Sequence, residues 1–148
     1  MKFNVAVIDP PWSYYGSKDK WAAAGKFYDQ LSYKDLCDLE IKKIMQSPCV
    51  IFMWCTSSTM KDAIGILNSW GYHYRGVAFV WVKTKKDGEP YGAAGVRPSI
   101  TKPLTEFVLV ASDKEKGRPL VLSSESVVQT VFSPDKIIQR NQKTFKQE

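Results

Sequence analysis

The sequence predicts an α/β fold, a parallel sheet with helices packed on its faces. Three observations predict it. Short apolar runs rich in β-branched residues recur at 3–8, 49–54, 77–82 and 106–111. Segments with helical spacing separate the first three runs, an alternation that favours βαβ units. Long polar loops containing glycine and proline follow the first and third runs, which is where open α/β sheets place ligands.

The first run, Phe-Asn-Val-Ala-Val-Ile at 3–8, reads as a buried strand and stops at Asp9-Pro10-Pro11, because two prolines cannot donate to a ladder. Residues 13–30 form a long polar and aromatic loop. Ser32 and Asp35 resemble a capping box at the start of a helical stretch reaching Met45, whose imperfect apolar face fits two short pieces as well as one helix. Pro48 precedes the second strand, 49–54. Ser57, Ser58 and Thr59 offer caps for a helix whose Met60, Ala63, Ile64, Leu67 and Trp70 share one arc, with Gly71 closing it. The third strand, 77–82, leads to Lys83 and a second long loop, 84–103. The fourth strand, 106–111, is followed by a charged turn and a weak strand signal at 127–131. Residues 134–148 hold few apolar side chains and read as a solvent-facing helix or a poorly ordered tail. The expected division is thus a domain at 1–133 and a polar tail at 134–148.

With 148 residues, 44% hydrophobic and 24% charged, the chain is an ordinary globular domain. No apolar run is long enough to span a membrane, and the start lacks a signal-peptide stretch. Three cysteines without Cys-x-x-Cys spacing and a single histidine argue against a disulfide framework and against a metal site, so the cytoplasm is the expected compartment. Lys+Arg 21 against Asp+Glu 15 gives +6, compatible with a polyanionic partner. Lys18, Lys20, Lys26, Lys83, Lys85, Lys86, Arg97 and Lys102 all fall on or beside the two long loops, where together they could follow a phosphate backbone.

Asp9-Pro10-Pro11-Trp12 is the most informative feature. Proline before proline forces extended backbone and removes two N–H groups, so this turn presents acceptors without donors. The Asp9 carboxylate and the Pro10 carbonyl could accept both hydrogens of an exocyclic amino group and aim its nitrogen lone pair at an electrophile. Trp12 would stack on the ring that bears the amine. A base in a duplex must be flipped out to reach such a pocket.

Asp9-Pro10-Pro11-Trp12 resembles the catalytic motif of the MT-A family of adenine N6-methyltransferases, named after the seventy-kilodalton subunit of the messenger-RNA methyltransferase. Other stretches match in order: Tyr28 with Leu31-Ser32-Tyr33, Phe52-Met53-Trp54-Cys55-Thr56, Trp70-Gly71-Tyr72, Phe79-Val80-Trp81-Val82-Lys83-Thr84 and Thr105-Glu106-Phe107-Val108-Leu109-Val110. The resemblance spans about residues 3 to 132. It implies a Rossmann-like class I methyltransferase sheet with helices on both faces, S-adenosyl-L-methionine as cofactor and adenine in nucleic acid as substrate. It makes Asp9, Pro10, Pro11 and Trp12 catalytic, with Asp9 also touching the cofactor, and places Tyr28, Lys83 and Glu106 against the acceptor base. Trp70 and Trp81 are expected in the core, and His73 on the surface. The family contains RNA enzymes and bacterial and phage DNA enzymes. DNA is preferred here because the chain opens directly on the catalytic strand.

The family's cofactor segments, a His-Ser-x-Lys-Pro helix start and the strands after it, are expected near the carboxyl end. Val131-Phe132-Ser133-Pro134 reaches the approach to that region and a different sequence follows. The expected sheet is therefore incomplete on its cofactor side, with residues 3–8 as an edge. A truncated chain, a degenerate non-catalytic subunit that binds nucleic acid or a partner, and a half completed by a homo- or heterodimer partner remain open readings.

Overall fold

A computed structural model describes residues 1–12, 31–90, 98 and 100–134. Among them run β1 (Phe3–Ile8), α1 (Tyr33–Cys37), a 3-10 turn (Ile41–Lys43), β2 (Met45–Cys55), α2 (Met60–Ser69), β3 (His73–Thr84), β4 (Thr105–Ser112) and β5 (Thr130–Pro134). The strands form one sheet in the order β1-β2-β4-β3-β5. β1 is parallel to β2 and β3 to β5, while β4 runs antiparallel to both of its neighbours. The sheet is therefore mixed, not wholly parallel. Antiparallel neighbours need no crossover helix, and no helix is described between β3 and β4. The tail beyond Pro134 lies outside the described residues.

The local rules act as the sequence predicts in the first half. The Asp35 N–H donates to Ser32 Oγ at 3.1 Å and the Ser32 N–H donates to Asp35 Oδ2 at 3.3 Å, a closed capping box that starts α1. The stretch then splits into α1 and the 3-10 turn. α2 closes at Trp70, and Gly71 takes φ +86°, a conformation that strains any other residue. β1 has the expected bounds, whereas β2, β3 and β4 begin or end further out than expected. β2 starts at Met45 and passes through Pro48 because its pairing with β1 is interrupted there: Phe3 lies opposite Met45, but Val5 lies opposite Val50. The Asn4 side-chain amide spans the gap, donating to the Pro48 carbonyl at 2.7 Å and the Gln46 carbonyl at 3.3 Å. β5 begins three residues beyond the expected start at 127.

Cys49, Ile51, Met53 and Cys55 alternate along β2 onto one face of the sheet. There they meet Leu36 of α1, Ala63, Ile66 and Leu67 of α2, and Leu109 and Ala111 of β4. Trp70 is buried with them, and its indole N–H donates to the Leu36 carbonyl at 2.8 Å, tying the two helices together. Both described α-helices thus serve one core. The expectation of helices on both faces is not met among the described residues. The other face carries Val50, Phe52, Phe79 and Val110, and residues 119–129 pass over it around a cavity of about 570 Å³.

Among the described residues β1 is not buried on both sides as its apolar run suggests; it is the edge expected of a sheet incomplete on its cofactor side. It lies at the sheet edge, with Phe3, Val5 and Val7 50%, 49% and 68% exposed. An apolar run records that a residue can be buried, not whether a neighbouring strand is there to bury it.

Candidate active site

The strand directions gather the candidate residues at one edge. β1, β2 and β3 end there, and β4 begins there because it runs the opposite way. Glu106, at the start of β4, stands opposite Trp81 in β3, and Lys83 follows two residues later on the same side of the strand. Lys83 Nζ lies 3.0 Å from Glu106 Oε2 and 5.1 Å from the Trp81 ring centre. The Trp81 ring meets Trp54 of β2 edge-on at 6.2 Å, and its indole N–H donates to the Ser133 carbonyl at 3.0 Å. An ion pair, a cation over a ring and two crossed indoles thus form one wall.

Asp9 continues β1 at the same edge. Its residue opens to solvent, yet the protein packed beneath the carboxyl raises its pKa from 3.8 by desolvation, and the negative charge of Glu106 raises it further. Cys55, at the end of β2, responds in the same direction: burial first, then Glu106, pushes its thiol up to about 11. Glu106 is therefore felt both at Asp9 and across the sheet at Cys55.

The turn after Asp9 is tight. The Trp12 N–H donates to the Pro10 carbonyl at 2.9 Å, closing a three-residue turn, and the Leu31 N–H donates to the Pro11 carbonyl at 3.2 Å. Pro10 O keeps one lone pair free. Neither proline has an N–H and that of Trp12 is already engaged, so the described Pro10-Pro11-Trp12 turn presents carbonyl acceptors.

Trp12 differs from its expected role. It is 9% exposed and belongs to the core with Leu36 and Met53, and its indole N–H has no partner among the described residues. A ring packed this way anchors the turn and offers no open face for stacking. The physical reason is that a tryptophan just past a strand end gains more by joining the core below than by standing in water. Trp81, at 7% exposure, is buried as the sequence reading expects, and the half-buried Trp54 lies beside it. Sequence reasoning treated Trp81 as packing and did not single out Trp54; strand parity was the available signal, since it sets Trp54 on the face that Trp81 and Glu106 share.

Tyr28, Lys18, Lys20, Lys26 and Arg97 lie outside the described residues. Lys85 and Lys86 are exposed on a short loop in which the Lys85 N–H donates to the Glu89 carbonyl at 2.8 Å and Gly88 takes φ +88°. Lys102 is exposed as well, and so is His73 at the far end of β3. Among the described residues no His, Cys, Asp and Glu cluster could hold a metal ion, and all three cysteines are free.

Residues 3–146 match the model of one protein family, MT-A70. The chain belongs to that family. It is 32% identical over 126 residues to the type II methyltransferase M.MunI of a Mycoplasma species, an alignment covering 74% of this chain and 50% of the relative. It is 30% identical over 89 residues to the human N(6)-adenosine-methyltransferase catalytic subunit METTL3, covering 57% of this chain and 13% of that protein. It is 31% identical over 87 residues to the non-catalytic subunit METTL14 of Xenopus tropicalis, covering 58% and 18%. The chain thus spans about half of M.MunI and a small part of the two subunits. Because MT-A70 relatives include a catalytic and a non-catalytic subunit, membership leaves the role of Asp9 to be argued from its surroundings.

Proposed function

We propose that this MT-A70 chain is the acceptor side of an adenine N6-methyltransferase that uses S-adenosylmethionine and acts on nucleic acid, DNA in preference to RNA. The observation that carries the reading is the meeting of Asp9-Pro10-Pro11 with the Lys83, Glu106 and Trp81 wall at one sheet edge. The names of the METTL3 and METTL14 relatives supply the adenosine N6 position. The DNA preference is the expectation carried over from the sequence; M.MunI, the type II methyltransferase, is the relative here matched over the larger share of its length.

In this reading the Asp9 carboxylate and the free lone pair of Pro10 O accept the two hydrogens of the adenine amine. Its raised pKa makes Asp9 a better acceptor for a proton leaving that nitrogen. Glu106, held by Lys83, addresses the base edge, with the half-buried Trp54 and the buried Trp81 as the apolar backing of that wall. Trp12 keeps the turn in place from below. S-adenosylmethionine would supply an electrophilic methyl group. The described residues offer it one contact, Asp9, and do not themselves form a cofactor pocket. Lys85, Lys86 and Lys102 are placed to follow phosphates, and Tyr28 remains proposed for the acceptor pocket. No described helix is long and apolar enough to cross a membrane. The cytoplasm and a homo- or heterodimer partner stay part of the proposal, as does the division at residue 133.

The test follows tritiated methyl from S-adenosylmethionine into adenine-containing DNA and RNA oligonucleotides. Label at N6 of DNA adenine that disappears in Asp9→Ala supports the reading, and label in RNA alone removes the DNA preference. Activity that survives Asp9→Ala overturns the mechanism. A non-catalytic subunit is the second reading, favoured by the likeness to the non-catalytic subunit METTL14. It requires nucleic-acid binding with no heat of S-adenosylmethionine binding in calorimetry.

A further inference from the structure

Trp81 is buried, yet each of its contacts has a direction that packing alone does not require. Its indole N–H donates to the Ser133 carbonyl of β5 at 3.0 Å. The Trp54 ring of β2 meets it edge-on, with 83° between the two planes. Lys83 Nζ stands 5.1 Å from its ring centre and 3.0 Å from Glu106 Oε2. β3 and β5 run parallel, with Trp81 opposite Val131 and Lys83 opposite Ser133. The indole N–H therefore reaches two residues along the sheet, toward the edge where Lys83 and Glu106 meet. That reach brings the ring under Lys83, whose side chain leaves the strand on the same face.

We propose that Trp81 is a positioning residue for the acceptor base. Its bond to Ser133 fixes the ring, the ring fixes Lys83, and Lys83 fixes the Glu106 carboxylate. The proposal rests on the reading of Glu106 as the group that addresses the base edge. A lysine stem is flexible, and a partly exposed ion pair by itself holds it weakly. The face of a fixed indole gives the ammonium a second attachment, stronger where water is partly excluded. An apolar ring alone would pack in more than one orientation. The N–H, which must find an acceptor once buried, selects the orientation that presents the face to Lys83. Trp54 closes the ring from the side of β2. β5 thus acts on the site through a backbone carbonyl, and the order runs from Ser133 to Trp81 to Lys83 to Glu106.

NMR of the full chain tests this without recourse to activity. In the wild type the Trp81 ring should shift the Lys83 ammonium protons upfield, and the Trp81 indole N–H should exchange slowly. Trp81→Phe should move the Lys83 ammonium downfield and lower its order parameter. Lys83→Met should leave the indole N–H protected, because Ser133 and Trp54 hold the ring from the other side. In methyl transfer to an adenine-containing DNA oligonucleotide, Trp81→Phe should raise KM about three- to tenfold with kcat kept. In a Lys83→Met background it should add nothing. The wild-type measurements decide the matter even where Trp81→Phe fails to fold. A wild-type Lys83 ammonium without the upfield shift, one unmoved by Trp81→Phe, or a Trp81→Phe effect on KM that persists without Lys83 overturns the proposal. An ordered wild-type ammonium with a KM that ignores Lys83→Met overturns the reading of Glu106 on which the proposal rests.

Discussion

Two aspartates sit just past strand ends at opposite edges of the same sheet, and their surroundings drive them in opposite directions. Asp9 follows β1 at the edge where β1, β2 and β3 end. Desolvation and the charge of Glu106 raise its pKa above 3.8. Asp113 follows β4 at the other edge. It accepts hydrogen bonds from the hydroxyls of Ser47 and Ser112 and, at 3.0 Å, from the Cys49 N–H. The Ser47 bond is the largest cause that lowers its pKa to about 2, against a smaller opposing effect of burial. Asp113 is thus a latch that fastens the start of β2 to the end of β4, with its charge satisfied by donors. Among the described residues no donor reaches the Asp9 carboxylate, and another negative charge stands beside it. The difference teaches how to separate a structural carboxylate from a reactive one: by what satisfies its charge, not by its place at a strand end.

The largest expected effect breaks the comparison at Asp9. Asp9→Ala should lower methyl transfer about 10²–10⁴-fold, mainly in turnover, as for loss of a positioned proton acceptor. Stability should not fall. A carboxyl with a raised pKa contributes stability when protonated, present in full below 3.8 and lost as pH rises through the folded value. At neutral pH its removal is neutral or slightly stabilising, which denaturant titration reads.

Asp113→Ala should show the reverse pattern. Three hydrogen bonds to a partly exposed charge are lost, so the unfolding free energy should drop by about 1–3 kcal/mol while transfer per folded molecule is kept. Its pH signature is also opposite. A lowered pKa contributes stability that is complete above 3.8 and disappears as pH falls toward about 2. An acid titration of wild type and variant should converge across that window.

Charge on the two edges sharpens the contrast further. Lys85→Ala with Lys86→Ala should weaken nucleic-acid binding alike for all sequences and reduce the magnitude of the salt slope by about 2, one for each lost phosphate contact. The same changes at Lys114 and Lys116, beside Asp113, should leave the slope where it was. The smallest effect belongs to Glu106→Gln, which should lower the pKa of Asp9 and of the Cys55 thiol while leaving Asp113 unmoved.

Much of the Asp9 edge is legible in the sequence. The prolines after residues 3–8 mark the turn, and Lys83 and Glu106 meet as soon as β4 is known to begin at that edge. What the sequence conceals is relational. Whether β4 runs parallel or antiparallel depends on which strands neighbour it, and that choice brings Glu106 to the site. Whether Phe3, Val5 and Val7 are covered depends on a strand beyond β1, so an apolar run reads as buried when it is an edge. The fate of Trp12 depends on the core beneath it, which lies tens of residues away in the chain. The Asp113 latch escapes sequence reading because its partners Ser47 and Cys49 belong to a different strand. Local signals such as the Ser32 and Asp35 capping box and the Gly71 closure needed no such information, and they appear as the spacing predicts.

The most direct test of the contrast is a carbon-detected NMR titration of the side-chain carboxyls of the full chain. Asp9 and Asp113 would be followed in the same sample, assigned by Asp9→Asn and Asp113→Asn. The account predicts that Asp113 ionises near pH 2 and Asp9 above 3.8, with Glu106→Gln moving Asp9 alone of the two. Two aspartates that titrate together near 3.8, or an Asp9 that ionises before Asp113, would contradict it.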